Sequence, residues 1–147
     1  MVLPVLLLVL LGLADFGFML QAYGVVTNAA REGVRLAILE GEGYTTSMIQ
    51  KRVATYISEG LPAGSTAATT TCVKVGGVLT NPGICVDPLD VVVASGGVNL
   101  TVSTRQVTVV YPYSYRFVGG VASLLGSSYS TVKIRGVATM RTEAAAH

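Results

Sequence analysis

The residues whose chemistry stands out are Cys72, Cys85 and Asp15. The two cysteines lie in a turn-rich stretch and have no CxxC spacing. Their functional reading is a disulfide formed in an oxidising compartment; the plainer alternative is two buried free thiols. A metal site needs several His, Cys, Asp or Glu groups converging. The one histidine is His147, and the sequence offers no such cluster. No nucleophile–base pair or carboxylate pair can be nominated, so the reading is not an enzyme, and no cofactor is expected. Gly76-Gly77 and Gly119-Gly120 stand in neither a Walker nor a Rossmann context. The net charge is +2 and the basic residues are scattered without a Lys/Arg run, which argues against nucleic acid as a partner.

Asp15 is the single charge within residues 1–26, MVLPVLLLVLLGLADFGFMLQAYGVV. Such a run is long enough for a bilayer, whose hydrocarbon core takes about 20 helical residues. A mid-span carboxylate costs roughly 2.5–3.5 kcal/mol on insertion scales. One reading is tolerance, with the carboxyl protonated or facing a shallow defect. The functional reading is a polar lock to another subunit. Gly12, Ala14 and Gly17 surround it with small side chains, which let helices approach closely.

The elements that position these residues follow from periodicity. The apolar run continues into VTNAAREGVRLAILE, where Val25, Ala29, Ala30, Gly33, Val34, Ala37 and Ile38 keep a helical spacing. One continuous helix from Leu3 to Leu39 is expected, roughly 55 Å long at 1.5 Å per residue. Pro4 is tolerated in its first turn, and Gly41-Glu42-Gly43 ends it. No basic residue precedes the span, whereas Arg31 and Arg35 follow it. The positive-inside rule read literally puts the following part in the cytoplasm; the cysteines favour the opposite side. A basic leader ahead of this sequence would resolve the conflict.

The stretch VLPVLLLVLLGLADFG, followed by NAAREGVRLA, resembles the TadE-like proteins of bacterial tight-adherence pilus systems. Those are pilin-like or pseudopilin proteins. The matching positions are Asp15, Phe16, Gly17, Asn28, Ala29, Ala30, Arg31, Glu32, Gly33 and Arg35, with a weaker match at Met140, Arg141 and Glu143. Members usually carry a basic leader cut by a prepilin peptidase and a Glu-Phe pair upstream of the apolar run. Neither is in this sequence, which leaves Asp15 as the candidate for the role of the pilin-type glutamate.

Beyond the helix, residues 44–61 read as a second helix. Ser47 and Gln50 have capping-box spacing, with Thr45 or Thr46 as alternative caps. Ile49, Val53, Tyr56, Ile57 and Leu61 form its apolar stripe. AGSTAATTT over residues 63–71 reads as a surface loop, or a site of O-glycosylation. Strands are expected over Thr69–Val75, over Asp90–Ala94, from Val98 through Tyr111 as one long strand or a bent pair, and over residues 131–141. Asn99-Leu100-Thr101 fits the N-glycosylation pattern but sits in a strand-like alternation. Phe117, Val118, Val121, Leu124 and Leu125 suggest a short helix ended by Gly126. Tyr111, Tyr113 and Tyr115 share one strand face, as a cross-strand or subunit contact.

The expected fold is α+β and pilin-like: a long N-terminal hydrophobic helix over residues 1–40, and a small extracytoplasmic head over residues 41–147. The head is an antiparallel sheet of three to five strands covered by helices. The resemblance implies a structural subunit of an extracellular filament (a fimbrium) that polymerises through its hydrophobic helix. Before assembly it would reside in the inner membrane with the head outside the cytoplasm. Its partners would be copies of itself, the inner-membrane assembly machinery and a prepilin peptidase. The alternative is a single-pass anchored periplasmic binding or accessory domain that does not polymerise. The expected subunit contacts are Leu6, Leu10, Gly12, Ala14, Asp15, Gly17, Leu20, Arg31 and Arg35. Within its own helix Asp15 has no cation near; Arg31 is some 24 Å along the axis. Its partner is therefore expected on another chain, as an α-amino group, a backbone group or a hydroxyl, unless the carboxyl is neutral. Glu32 and Arg35 have the spacing of an intrahelical ion pair.

Overall fold

The computed structural model describes residues 2–39, 43–62, 65–95, 98–117, 119 and 131–142. Helix α1 runs over Leu3–Ala37 without a break, with Pro4 in its first turn. Pro lacks only an N–H that the first turn leaves unpaired anyway. The helix ends two residues before the expected Leu39, where the Ile38 N–H still reaches Val34 O at 3.2 Å. Of the expected Gly41-Glu42-Gly43 stop, only Gly43 is among the described residues, at a φ of 104°. Helix α2 covers Thr46–Gly60. The Thr45 hydroxyl caps it, accepting from the Met48 N–H. No capping box closes between Ser47 and Gln50. Gln50 Nε2 instead donates to Ile84 O at 2.8 Å, tying α2 to the sheet.

Five strands follow: β1 (Lys74–Val75), β2 (Val78–Leu79), β3 (Gly83–Ser95), β4 (Val98–Ser114) and β5 (Thr131–Arg141). Strands β1 and β2 make a small antiparallel hairpin; β3, β4 and β5 form an antiparallel sheet in that order, with β4 central. Gly76 and Gly77 turn the hairpin with φ of 60° and 79°, the left-handed region a tight hairpin turn requires. The strand expected over Thr69–Val75 is only Lys74–Val75. The strand expected over Asp90–Ala94 is the far half of a strand that begins at Gly83. Pro88 lies within it. This is compatible because β3 is an edge strand, where a missing N–H need not break a ladder. Val98 through Ser114 is one strand, not a bent pair. The helix expected over Val118, Val121, Leu124 and Leu125 lies outside the described residues, as does Glu143.

The core sits between one face of the sheet and the two helices. From α1 come Ala22, Val26, Ala29, Ala30, Val34 and Ala37; from α2, Ile49, Val53 and Ile57. The sheet supplies Ile84, Val107, Val109, Tyr111, Tyr113 and Ile134. The period of two along β4 puts Val107, Val109, Tyr111 and Tyr113 on the same face. The α1 side of this core is mostly alanine, so the helix lies close to the strands. At Gly136 on β5 an added Cβ would stand 2.9 Å from Val26 O. Only glycine permits that approach. The opposite face of the sheet carries a second, small cluster of Leu79, Cys85 and Val110 beneath the hairpin. A disulfide joins Cys72 to Cys85, with Cα atoms 5.0 Å apart. A Lys74–Asp87 ion pair and a bond from Lys133 Nζ to Thr80 O at 3.0 Å hold the same flap down.

Strand β4 runs against the direction of α1. Its end at Ser114 lies beside Asp15, Val107 touches Gly33, and Arg105 lies near Ile38. Pairing with β5 stops at Thr104↔Arg141, while β3 and β4 stay paired out to Ser95↔Val98. A two-stranded ribbon therefore extends past the C-terminal end of α1, with Leu89 exposed at its root and Val91 and Val92 exposed along it.

Candidate functional site

The junction between α1 and the head is built around Asp15. Its side chain is 1% exposed. Oδ1 accepts from the Arg116 N–H at 3.1 Å, and Oδ2 accepts from the Phe117 N–H at 3.0 Å. These donors lie just past the end of β4, where the ladder no longer uses them. The partner expected on another chain is thus found in the same chain, and Asp15 faces its own head rather than a neighbour. Sequence reasoning considered cations on the same helix and groups on other chains. Backbone donors a hundred residues on carry no side-chain signature, and only the antiparallel run of α1 and β4 brings them to Asp15.

Aromatic and sulfur groups close the junction. The Arg116 guanidinium lies 5.7 Å from the centre of the Phe18 ring, within reach of a cation–π contact. Tyr115 Oη is 3.8 Å from Met19 Sδ. Tyr113 and Tyr115 meet edge to face with ring centres 5.7 Å apart. Tyr111 donates to Thr66 O at 2.7 Å. The three tyrosines thus pack inside the chain. Burial raises the pKa of Tyr111, and burial together with the Asp15 carboxylate raises that of Tyr113.

Away from the head, α1 presents a different surface. Up to Leu13 its large apolar side chains are exposed apart from the half-buried Leu11; Val2, Leu3, Val5, Leu6, Leu7, Leu8, Val9 and Leu10 are all more than half open. From Asp15 onward one face is buried in the head, and the opposite face stays open. On it Leu6, Leu10, Leu13, Gly17, Leu20 and Gly24 recur at alternating steps of four and three residues, the repeat that makes a seam between packed helices. A Cβ added at Gly12, Gly17 or Gly24 would meet nothing within 4 Å. These small residues are not used in packing the head. Arg31 and Arg35 continue the open face and are exposed, as is Ala14. Gly12 is half-buried, on the flank. Glu32 and Arg35 do not form the ion pair their spacing allows. Glu32 instead borders a cleft between the helices with Lys51 and Arg52. Among the described residues, no three His, Cys, Asp or Glu side chains come together.

Helix α1 is long and apolar enough to cross a membrane. An uncovered apolar helix bearing the Asp-Phe-Gly and Asn-Ala-Ala-Arg-Glu-Gly runs is the feature by which the chain can be compared with others. Residues 1–35 match the family of TadE-like proteins. No curated protein and no solved structure matches the chain significantly. The TadE-like segment contains Asp15, the open seam and Arg31, so its residues divide between holding the head and facing outward. The likeness is one of this N-terminal segment.

Proposed function

We propose that the protein is a structural subunit of a pilus-like filament, polymerising through the open face of α1. The observation that carries this reading is the exposed seam from Leu6 to Gly24, directly opposite the buried face that holds the head. At about 25 cal/mol per Å² of apolar surface, covering such a helix is a large favourable term. Leu6, Leu10, Gly12, Ala14, Gly17, Leu20, Arg31 and Arg35 are the subunit contacts. Asp15 acts from inside, fixing the head against the helix that packs. Before assembly α1 lies in the inner membrane. The head of residues 41–147, together with the second half of α1, lies outside the cytoplasm, where the Cys72–Cys85 disulfide is stable. The partners are further copies and the pilus assembly machinery, with a prepilin peptidase acting on any leader. The role is structural rather than catalytic.

The test is electron microscopy of sheared surface fibres from cells carrying Gly17→Leu and Gly24→Leu. A filled seam keeps neighbouring helices apart, so fibres are lost while the chain still enters the membrane and keeps its disulfide. Normal fibres from this variant would overturn the seam. Absence of the wild-type chain from sheared fibres would favour the alternative, an anchored accessory domain that does not polymerise.

A further inference from the structure

The level at which α1 stops being apolar does not coincide with the level at which the head begins. The head packs from Asp15 onward. The outward face of the helix stays apolar beyond that, with Phe16, Leu20 and Tyr23 each more than half exposed. Gln21 is the one exposed polar residue short of Tyr23, and the face turns polar at Thr27, Asn28 and Arg31. The interval from Asp15 to Tyr23 is about 12 Å at 1.5 Å per residue. Any apolar medium that covers this face up to Tyr23 also reaches that far up the side of the head.

The head is built for such contact at this level. A cleft between α1 and β5 is lined by Met19, Leu20, Tyr23, Val132 and Ile134, with Lys133 and Arg135 at its border. Phe117, beside Asp15, is 42% exposed. The exposed charges here are basic: Arg135, Arg116 beside the Phe18 ring, and Lys133, whose Nζ also donates to Thr80 O; Asp15 is buried on backbone donors. The other described acids lie further up. Glu59 is level with Val25, Asp87 pairs with Gln106 beside the Gly33 level, and Glu32 and Asp90 are at or beyond it. Tyrosine near a membrane surface, with basic groups at lipid phosphates, is the pattern of an interfacial belt. A second copy's apolar helix segment would offer these bases no accessible acid, because residues 1–26 carry only Asp15.

We propose that, in the membrane-inserted state, the base of the head is sunk in the headgroup layer of an anionic bilayer, with Phe117 and Val132 at the acyl boundary, Tyr23 above them among the headgroups, and Arg116, Lys133 and Arg135 at lipid phosphates. The proposal rests on the membrane-anchored state of the reading above and not on polymerisation. An amphipathic surface typically enters the headgroup–acyl boundary by about 5–10 Å, so most of the roughly 12 Å interval, but not Tyr23 at its top, lies within that depth. The membrane thereby holds the head upright and covers the seam's upper end until another copy replaces the lipid.

The chain has no tryptophan, so Val132→Trp supplies a single probe at the base and Leu89→Trp a control on the distal ribbon. The full chain is reconstituted in vesicles of phosphatidylcholine with phosphatidylglycerol, with and without bromine on the acyl chains, and floated on a density gradient. The expected result is a blue-shifted emission at position 132 that is largely lost to brominated lipid, with position 89 unaffected. The quenching should weaken in pure phosphatidylcholine and in Lys133→Gln/Arg135→Gln. A chain that floats with position 132 as open to acrylamide as position 89 overturns the proposal and leaves the anchor standing. Protection from acrylamide without bromine quenching also overturns it, in favour of a second copy. Quenching indifferent to lipid charge and to the double substitution removes the role of the basic residues. Failure to float removes the anchor itself, and the proposal with it.

Discussion

Stripping the carboxylate from Asp15 would leave the Arg116 and Phe117 N–H groups buried against a hydrocarbon side chain. Each such orphan costs about 1–3 kcal/mol. Asp15→Leu is therefore expected to lower the stability of the head by roughly 2–5 kcal/mol, read as a melting curve in detergent, while membrane insertion is unchanged or improved. Loss of fibres with an undisturbed melting curve would return Asp15 to a contact between chains. The tyrosines give a second residue-scale expectation. Tyr111 and Tyr113 hold their protons above the ordinary pKa of 10.0 because they are buried. Between that value and the higher folded one, the native state binds more protons than the unfolded chain. Stability should therefore be level below pH 10.0 and fall as pH rises through the folded values. Melting curves across the alkaline range, with Tyr113→Phe flattening the fall, test this. Asp15 stood out in the sequence because a lone charge in an apolar run is conspicuous. Its partners did not, because backbone donors look alike at every position.

At the scale of elements, the hairpin flap and the close approach of α1 to β5 each hang on a few atoms. The Cys72–Cys85 bond closes a short loop over Leu79 and Val110. In the chain-entropy model such a link is worth roughly 3 kcal/mol. Reduction, or Cys72→Ala with Cys85→Ala, should lower stability by about that amount, and intact mass with alkylation verifies the state of the thiols. Gly136→Val forces a branched side chain against the backbone of Val26. Overpacking of this kind costs about 1–3 kcal/mol, and separation of α1 from β5 should show as faster amide exchange in β5. Both helices and β5 were legible from apolar spacing. Of strand β3 only the half over Asp90–Ala94 is legible: the other half lies in the turn-rich stretch around Cys85, and nothing local reveals that Pro88 lies on a sheet edge. The thirteen-residue partnership of β3 with β4 is a long-range choice that the local pattern does not record.

On the scale of the whole molecule, the chain is arranged along one axis: free apolar helix, packed body, then the projecting β3–β4 ribbon. The antiparallel course of α1 and β4 has a mechanical consequence. Tension applied to the N-terminal end of α1 enters the head first at Asp15 and then spreads along the face that α1 shares with β4 and β5. Strand β4 is bonded to β3 on one side and β5 on the other, and these bonds lie across the strand axis. A pull along that axis loads the ladder in shear, many bonds together, instead of unzipping it from one end. Pulled in an optical or magnetic trap between α1 and the ribbon, the head should yield in one high-force step. Asp15→Leu should add an earlier, weaker event as the helix peels from the junction. Read this way, the buried carboxylate works as a strain relief, the point at which a cable is clamped before its load reaches the solder.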